Sequence, residues 1–296
     1  PAYPAYQHHS HPHRDDPAYK ERRPFSEYLE YMHSQVRELA SKYGKLDIMW
    51  FDYSYGDMRG EKWEATKLIR MLKSYQPDII TDNRLEASGE GFGSLVTDHP
   101  TEYCGDFVSP ECIIPPEGIC DANGNPIPWE ACITMNDHWG YCSTDFNYKT
   151  GKVVVRKLVE CVSKGGNLLL NVGPEATGRF PDRSIEVLSE VGKWMKKNSD
   201  AIYGGDRCGL PKPEWGRYIQ KGNTVYAMVI DPPVGPLALL GISEQSIKSL
   251  RLLADGSELK PFHDWRTANY SDVSYVNLPD YRMYDDVYTV LKIELK

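Results

Sequence analysis

Acidic residues beside apolar segments are the groups in this sequence best suited to catalysis. Asp52 directly follows the apolar run 46–51, which predicts a buried strand that delivers a carboxylate to the strand end. Residues 97–130 form a loop-like stretch rich in carboxylates and aromatics: Asp98, Glu102, Tyr103, Asp106, Phe107, Glu111, Glu117, Asp121, Trp129 and Glu130. Two carboxylates flanking a glycosidic bond perform glycoside hydrolysis, and a separation of about 5–5.5 Å selects retention. Spacing alone does not identify the glutamate that partners Asp52, and a loop-capping role for Asp52 is the structural alternative.

The aromatic residues and one arginine extend this hypothesis to a sugar. An aromatic face packs on the C–H-rich face of a sugar ring while polar groups bind its hydroxyls. Arg84 lies just beyond the predicted strand 78–82 and could bind a carboxylate or a sugar hydroxyl; a surface salt bridge is its alternative.

Histidines and cysteines could bind a metal, but their patterns favour simpler roles. The cluster His8, His9, His11 and His13 reads as a polar loop beside the site. The 7 cysteines lack the short paired steps of structural zinc sites, which favours ordinary buried thiols. We therefore expect neither a metal nor a cofactor.

Helical and strand patterns alternate over the first two thirds of the chain. Apolar residues at steps of three and four predict helices, among them one over 61–75. The segments 46–51, 78–82, 94–98, 131–135 and 167–173 predict parallel strands, and the runs at 46–51 and 167–173 predict burial on both faces. Alternating β and α elements with acidic groups at strand ends favour a (β/α)8-type barrel, whose eight strands exceed those found here, so we expect a partial barrel.

The character of the sequence changes near residue 205. Short alternating segments separated by Gly, Pro and Asp follow it and predict a small antiparallel β-sandwich. We expect a catalytic barrel portion over 1–204 and a β-sandwich domain over 205–296.

Charge and hydropathy restrict the partners. The net charge is −8, and no basic stripe is present, which disfavours nucleic acid and anionic membranes. No apolar run is long enough to span a bilayer. Cysteine usage favours the cytoplasm over a secreted or periplasmic location, and oligomerisation stays open.

Five stretches in order resemble the α-L-fucosidases of glycoside hydrolase family 29. YGKLDIMWFD resembles the family's nucleophile strand, GDFVSPE its acid/base segment, and WEACITMNDHWGY the stretch after it. SKGGNLLLNVGP and GKWMKKNSDAIYG resemble its last barrel strand and helix. The resemblance covers nearly all of residues 1–200 and implies a retaining exo-α-L-fucosidase that acts on a fucosylated oligosaccharide or glycoconjugate.

The resemblance also implies roles for individual residues. Asp52 matches the family nucleophile and Glu111 the acid/base, with Glu102 as a rival for the second role. Trp50 and Arg84 match positions that line the fucose pocket. Further contacts with substrate are expected from Glu102, Trp129 and Glu130.

The sequence differs from the family in one respect, and two alternative functions stay open. The family's early strands, which carry histidines and a tyrosine that hold fucose, are expected upstream of residue 1, so this stretch alone is expected to bind fucose poorly. A catalytically impaired relative that binds fucose is one alternative. A retaining glycosidase for a related sugar is the other, since one methyl group in a pocket is worth only about 1–3 kcal/mol.

Overall fold

The computed structural model describes residues 24–89, 91–270, 273–278, 285 and 287–296. The histidine cluster predicted beside the site lies outside these residues. The described chain divides into two compact units, one comprising residues up to Glu111 with Ile119–Glu130, the other Cys112–Gly118 with Ala131–Lys296. No described helix is long and apolar enough to cross a bilayer.

The first unit contains two helices and a parallel β ladder. Helix α1, Phe25–Lys42, buries Leu29, Val36 and Ala40 at helical spacing. Helix α2, Ala65–Tyr75, buries Ala65, Leu68, Ile69 and Leu72, and both helices contribute to one apolar core. Strands β1, Ile48–Met49, and β2, Ile80–Thr81, pair in parallel in the order that the βαβ pattern predicts.

The parallel ladder continues beyond these two short strands. Asp82 bridges to Phe107 and Val108 bridges to Trp129, both in parallel. Four successive chain segments therefore run side by side in the same direction. Their carboxyl ends meet at one edge, and that edge is where Asp52, Arg84 and Glu111 follow.

The predicted strand at 94–98 is wrong. Ser94–Val96 forms a 3₁₀ helix instead, because the Glu86 carboxylate accepts hydrogen bonds from both the backbone N and the Oγ of Ser94 and turns the chain there. The predicted helix over 61–75 also begins differently. A 3₁₀ turn, Gly60–Trp63, comes first, and Glu64 adopts a left-handed conformation (φ 49°) before α2 starts.

The predicted burial of the segments 46–51 and 167–173 on both faces is also wrong. Ile48 is 50% exposed and Leu169 is 41% exposed. The other face of each segment packs against helices, through Met49 and Phe51 in the first and through Leu168 and Leu170 in the second. The described residues form no closed barrel, and the partial barrel stays a prediction.

The second unit contains the remaining elements. Strands β3, Glu130–Thr134, and β4, Asn167–Asn171, lie close to the segments predicted at 131–135 and 167–173, and they pair with each other. Helices α3, Gly151–Ser163, and α4, Asp182–Asn198, pack on each other. Thr150 caps α3 by accepting a hydrogen bond from the Val153 backbone N.

The antiparallel strands predicted for the end of the chain are confirmed. Five strands form one sheet: β5, Asp206–Arg207; β6, Gly216–Lys221; β7, Thr224–Val229; β9, Ile247–Leu252; and β11, Thr289–Leu295. Their order in the sheet is β5-β6-β7-β11-β9. Strands β8, Leu237–Leu239, and β10, Ser274–Val276, form a second sheet, and apolar residues of both sheets share one core. The domain boundary at residue 205 stays a prediction, since this sheet lies in the same compact unit as α3, β4 and α4.

Candidate active site

Asp52 and Glu111 contact the same nitrogen of Arg84. Arg84 Nη1 donates to Asp52 Oδ1 at 3.1 Å and to Glu111 Oε2 at 3.2 Å. The two acceptor oxygens are therefore at most about 6.3 Å apart, the sum of these two contacts. Residues that are 59 positions apart in the chain are thereby brought to one point.

Arg84 is fixed from several sides, whereas the two carboxylates remain accessible. Its side chain is 1% exposed, compared with 42% for Asp52 and 34% for Glu111. Its Nη2 donates to the Ser109 backbone O at 2.9 Å, and its guanidinium lies 4.8 Å from the ring centroid of Trp50. A buried and well-anchored guanidinium thus holds two carboxylates that remain accessible to solvent.

The backbone is strained next to both carboxylates. Tyr53, directly after Asp52, has φ 75°, and Cys112, directly after Glu111, has φ 56°. Non-glycine residues rarely adopt such angles, and they do so at sites where the surrounding structure fixes the geometry. The chain therefore turns sharply directly after each carboxylate.

A glycine allows Glu111 to approach Arg84. A Cβ atom at Gly89 would lie 2.5 Å from Glu111 Cβ and 2.9 Å from Arg84 Nη2. The Gly89 backbone O also accepts a hydrogen bond from Glu111 N at 3.0 Å. Any larger residue at position 89 would displace the carboxylate or the arginine.

Glu130 and Trp50 lie close together beside Arg84. Burial raises the pKa of Glu130, and the nearby Trp50 indole partly offsets the rise. The Trp50 Nε1 is itself buried and meets no acceptor in hydrogen-bonding geometry among the described residues. The Glu130 backbone is held by the Val108 O, which accepts from Glu130 N at 2.9 Å.

The other two residues predicted to contact substrate, Glu102 and Trp129, lie in different surroundings from Trp50 and Glu130. Glu102 forms a bidentate ion pair with Arg70 of α2, with both N–O distances 2.6 Å, which lowers its pKa. Trp129 is almost fully buried, so its indole packs beneath the surface of this unit. Neither side chain joins the group around Arg84.

Other residues of this group escaped the sequence analysis. Tyr55 is near both carboxylates, since burial first and then the charges of Asp52 and Glu111 raise its pKa. Asp82 and Asn83 are buried behind Arg84. Their only signal in the sequence is that they immediately precede an arginine at a strand end.

Comparison with known proteins identifies the family. The family model described as alpha-L-fucosidase matches residues 2–200. This chain belongs to the α-L-fucosidase family. The plasma alpha-L-fucosidase of Rattus norvegicus is 28% identical to the chain over 258 residues, which cover 83% of the chain and 51% of that protein. An alpha-L-fucosidase of Branchiostoma floridae is 30% identical over 224 residues, covering 72% of the chain and 45% of that protein.

Solved structures of family members are also similar. Alpha-L-fucosidase isoenzyme 1 from Paenibacillus thiaminolyticus is 49% identical, with a TM-score of 0.93 over 99% of this chain and 69% of that one. The alpha-L-fucosidase of Bacteroides thetaiotaomicron, solved as a trapped covalent intermediate with 2-fluoro-fucosyl fluoride, is 26% identical, with a TM-score of 0.75 over 92% of this chain and 62% of that one. The chain spans about half the length of the curated relatives it matches.

Proposed function

We propose that the protein is a retaining exo-α-L-fucosidase that removes terminal α-L-fucose from glycans by double displacement. Asp52 is the nucleophile and Glu111 the acid/base. The observation that carries this proposal is the contact of both carboxylates with one nitrogen of Arg84. The upper bound of about 6.3 Å between one oxygen of each carboxylate is compatible with the about 5–5.5 Å between the carboxyl groups of retaining enzymes.

In the first step a carboxylate oxygen of Asp52 attacks the anomeric carbon of fucose. The bond from that carbon to the departing oxygen breaks, and Glu111 gives its proton to that oxygen. In the second step Glu111 takes a proton from water, whose oxygen attacks the same carbon and releases Asp52. Two inversions give net retention.

Arg84 imposes a condition on this cycle. Its Nη1 donates to Glu111 Oε2, whereas Glu111 must carry a proton to give when it acts as an acid. We propose that substrate binding replaces the Arg84–Glu111 contact and leaves Arg84 on Asp52. The 3.2 Å contact to a carboxylate that is one third exposed can be broken without unpacking the buried arginine.

The proposed fucose pocket uses residues around this centre. Trp50 and Glu130 lie beside Arg84 and supply an aromatic surface and a hydrogen-bonding carboxyl group. Because Glu102 is occupied by Arg70 and Trp129 is buried, the proposal gives neither a direct contact with the sugar. The parallel segments of the first unit are proposed to belong to a (β/α)8-type barrel, with the active site at the strand ends.

Stereochemistry of hydrolysis tests the function. The full-length protein should hydrolyse p-nitrophenyl α-L-fucoside, and proton NMR should show α-L-fucose as the first product, before mutarotation. The corresponding galactoside should be a much poorer substrate. A β-configured first product would contradict the retaining mechanism. A preference for the galactoside would show that the enzyme acts on another sugar.

A further inference from the structure

Three consecutive residues after β2 each hold a different part of the site. Asp82 Oδ1 accepts a hydrogen bond from the Phe51 backbone N at 3.0 Å, one residue before Asp52. Asn83 Oδ1 accepts from the Ser109 backbone N at 3.0 Å, two residues before Glu111. Arg84 then contacts both carboxylates. Asp82 therefore holds one catalytic segment and Asn83 holds the other.

Both side chains are deeply buried polar groups. Asp82 is 1% exposed and Asn83 is 0% exposed. Burying a polar group costs free energy unless its hydrogen bonds replace those with water, so these bonds fix the backbone positions that they reach. A Cβ atom at Gly105 would lie 2.3 Å from the Asp82 backbone O, which shows how closely the following segment packs against this strand end.

The state of the Asp82 carboxyl group agrees with a structural use. Burial raises its pKa to about 7, against the opposing effects of the Phe51 amide and the Arg84 cation. The Asp82 Oδ2 is buried and has no hydrogen-bond partner among the described residues. The neutral form retains the Oδ1 that accepts from Phe51, so the function of Asp82 does not require its charge.

Asn83 holds the acid/base segment at a second point. Its Nδ2 donates to the Gly91 backbone O at 3.0 Å. Gly91 follows the turn in which the Gly89 O accepts from Glu111 N. One amide side chain therefore ties the segment that leads into Glu111 to the turn against which Glu111 packs.

We infer that Asp82 and Asn83 are positioning residues that set the distance between the two catalytic carboxyl groups. Asp82 fixes the nucleophile segment and Asn83 fixes the acid/base segment, and both act from the rigid end of β2. The inference rests on the proposed function, because it takes Asp52 and Glu111 as the reacting groups.

Substitution at Asp82 tests its half of the inference in the full-length protein. Asp82→Ala removes the acceptor for Phe51 N, and we expect kcat for p-nitrophenyl α-L-fucoside to fall about 10–100-fold with a smaller change in KM, since a small misplacement of a reacting group has this effect. Asp82→Asn keeps an acceptor oxygen and should recover most of the rate. Asp82→Leu, whose side chain has the same branching but no polar atom, replaces the alanine variant if thermal melts show that the latter does not fold. An asparagine variant as slow as the apolar ones would overturn this half.

Leaving-group dependence tests the other half. Protonation matters most for a poor leaving group, so a misplaced acid should harm an unactivated fucosyl disaccharide more than a dinitrophenyl fucoside. For Asn83→Ala we expect the loss in kcat/KM to be about tenfold larger on the disaccharide. For Asp82→Ala the losses on the two substrates should be similar, because the nucleophile is needed for both. Equal losses for Asn83→Ala would overturn its assignment to the acid/base side.

Asn198 provides a matched control for burial. It is a buried asparagine in α4 whose Nδ2 donates to the Trp194 O at 3.1 Å. Asn198→Ala should lower the melting temperature without changing the ratio of kcat/KM values between the two substrates. If Asn83→Ala behaves in the same way, Asn83 is merely structural. Wild-type rates in Asp52→Ala and Glu111→Ala would be a separate result, because they would remove the proposed function itself.

Discussion

Arg84 is the residue on which the geometry of the site depends most directly. A buried guanidinium is retained only where its donors are occupied, and here they are divided between two carboxylates and the Ser109 carbonyl oxygen. Its position between Asp52 and Glu111 holds the two carboxyl groups close to one cation.

Removing this guanidinium should lower the rate. In Arg84→Met we expect kcat/KM for p-nitrophenyl α-L-fucoside to fall about 100-fold, the usual effect of losing a donor aimed at the reacting charge. Arg84→Lys keeps a cationic donor and should retain more of the rate. A wild-type rate in Arg84→Met would contradict the role of Arg84 in the site.

The two candidate acids can be separated by substitution. Glu102 is bound to the exposed Arg70, so Glu102→Gln should leave kcat within about twofold of the wild type, as expected for the loss of an exposed surface ion pair. Glu111→Ala should lower the rate about 10²–10⁴-fold on substrates that need protonation. Added azide should restore much of the turnover of a nitrophenyl fucoside by Glu111→Ala. If azide instead rescued a slow Glu102 variant, the acid/base residue would be Glu102.

At the scale of elements, the turn at Gly89 determines how closely Glu111 approaches Arg84. Gly89→Ala should lower kcat about tenfold or more, because the new methyl group meets Glu111 Cβ at 2.5 Å. Gly192 in α4 is the matched control, since a Cβ atom there meets nothing within 4 Å. Gly192→Ala should stabilise the protein by about 0.5–1 kcal/mol without changing kcat. Unchanged kinetics in Gly89→Ala, measured beside denaturant unfolding, would show that Glu111 has room to move.

Asp200 joins three strands of the antiparallel sheet to the end of α4. Its carboxylate accepts from Tyr226 Oη at 2.7 Å and Lys292 Nζ at 2.9 Å, and Lys221 Nζ lies 3.4 Å away. These contacts lower its pKa to about 2. A carboxyl group with a lowered folded-state pKa stabilises the fold above its unfolded pKa of about 3.9, and this contribution is lost as the pH falls towards 2.

The stability of Asp200→Asn should therefore depend on pH. We expect its melting temperature to be below that of the wild type at pH 7, and the difference to shrink as the pH falls from about 4 to about 2. High salt should also reduce the difference, since the side chain is partly exposed. Calorimetry of both proteins at pH 7 and at low pH measures it. A difference of the same size at both pH values would show that packing, not charge, accounts for the effect.

The sequence predicted the order of elements better than their extent. The run 46–51 reads as one strand, but only Ile48–Met49 pairs as a strand, and the Phe51 backbone N donates to the Asp82 side chain instead of to a neighbouring strand. Ser94–Val96 looks apolar enough for a strand, yet the Glu86 carboxylate, a tertiary partner, turns it into a 3₁₀ helix. Such contacts between distant residues carry no periodic signal in the sequence.

The same lack of a sequence signal for contacts between distant residues explains which site residues could be predicted. Asp52 and Arg84 follow predicted strands and match family positions, whereas only the resemblance singles out Glu111 from the carboxylate-rich loop. Asp82 and Asn83 are also polar residues at a strand end, where turns commonly place Asp and Asn. Only the burial of their side chains and the identity of their hydrogen-bond partners distinguish them from ordinary turn residues.

For the molecule as a whole, the family match and the geometry of the site point to the same reaction class. The family model covers residues 2–200, and the carboxylates that it contains converge on one arginine. The net charge of −8 suits a neutral sugar rather than a polyanion. The central claim that remains to be tested is covalent catalysis by Asp52.

Trapping the intermediate tests that claim directly. The full-length protein would be incubated with 2-fluoro-fucosyl fluoride, digested, and mapped by mass spectrometry. We expect one equivalent of fluorofucosyl group on the peptide that contains Asp52, and none in Asp52→Ala. A label on another residue, or continued turnover of p-nitrophenyl α-L-fucoside by Asp52→Ala, would contradict the account.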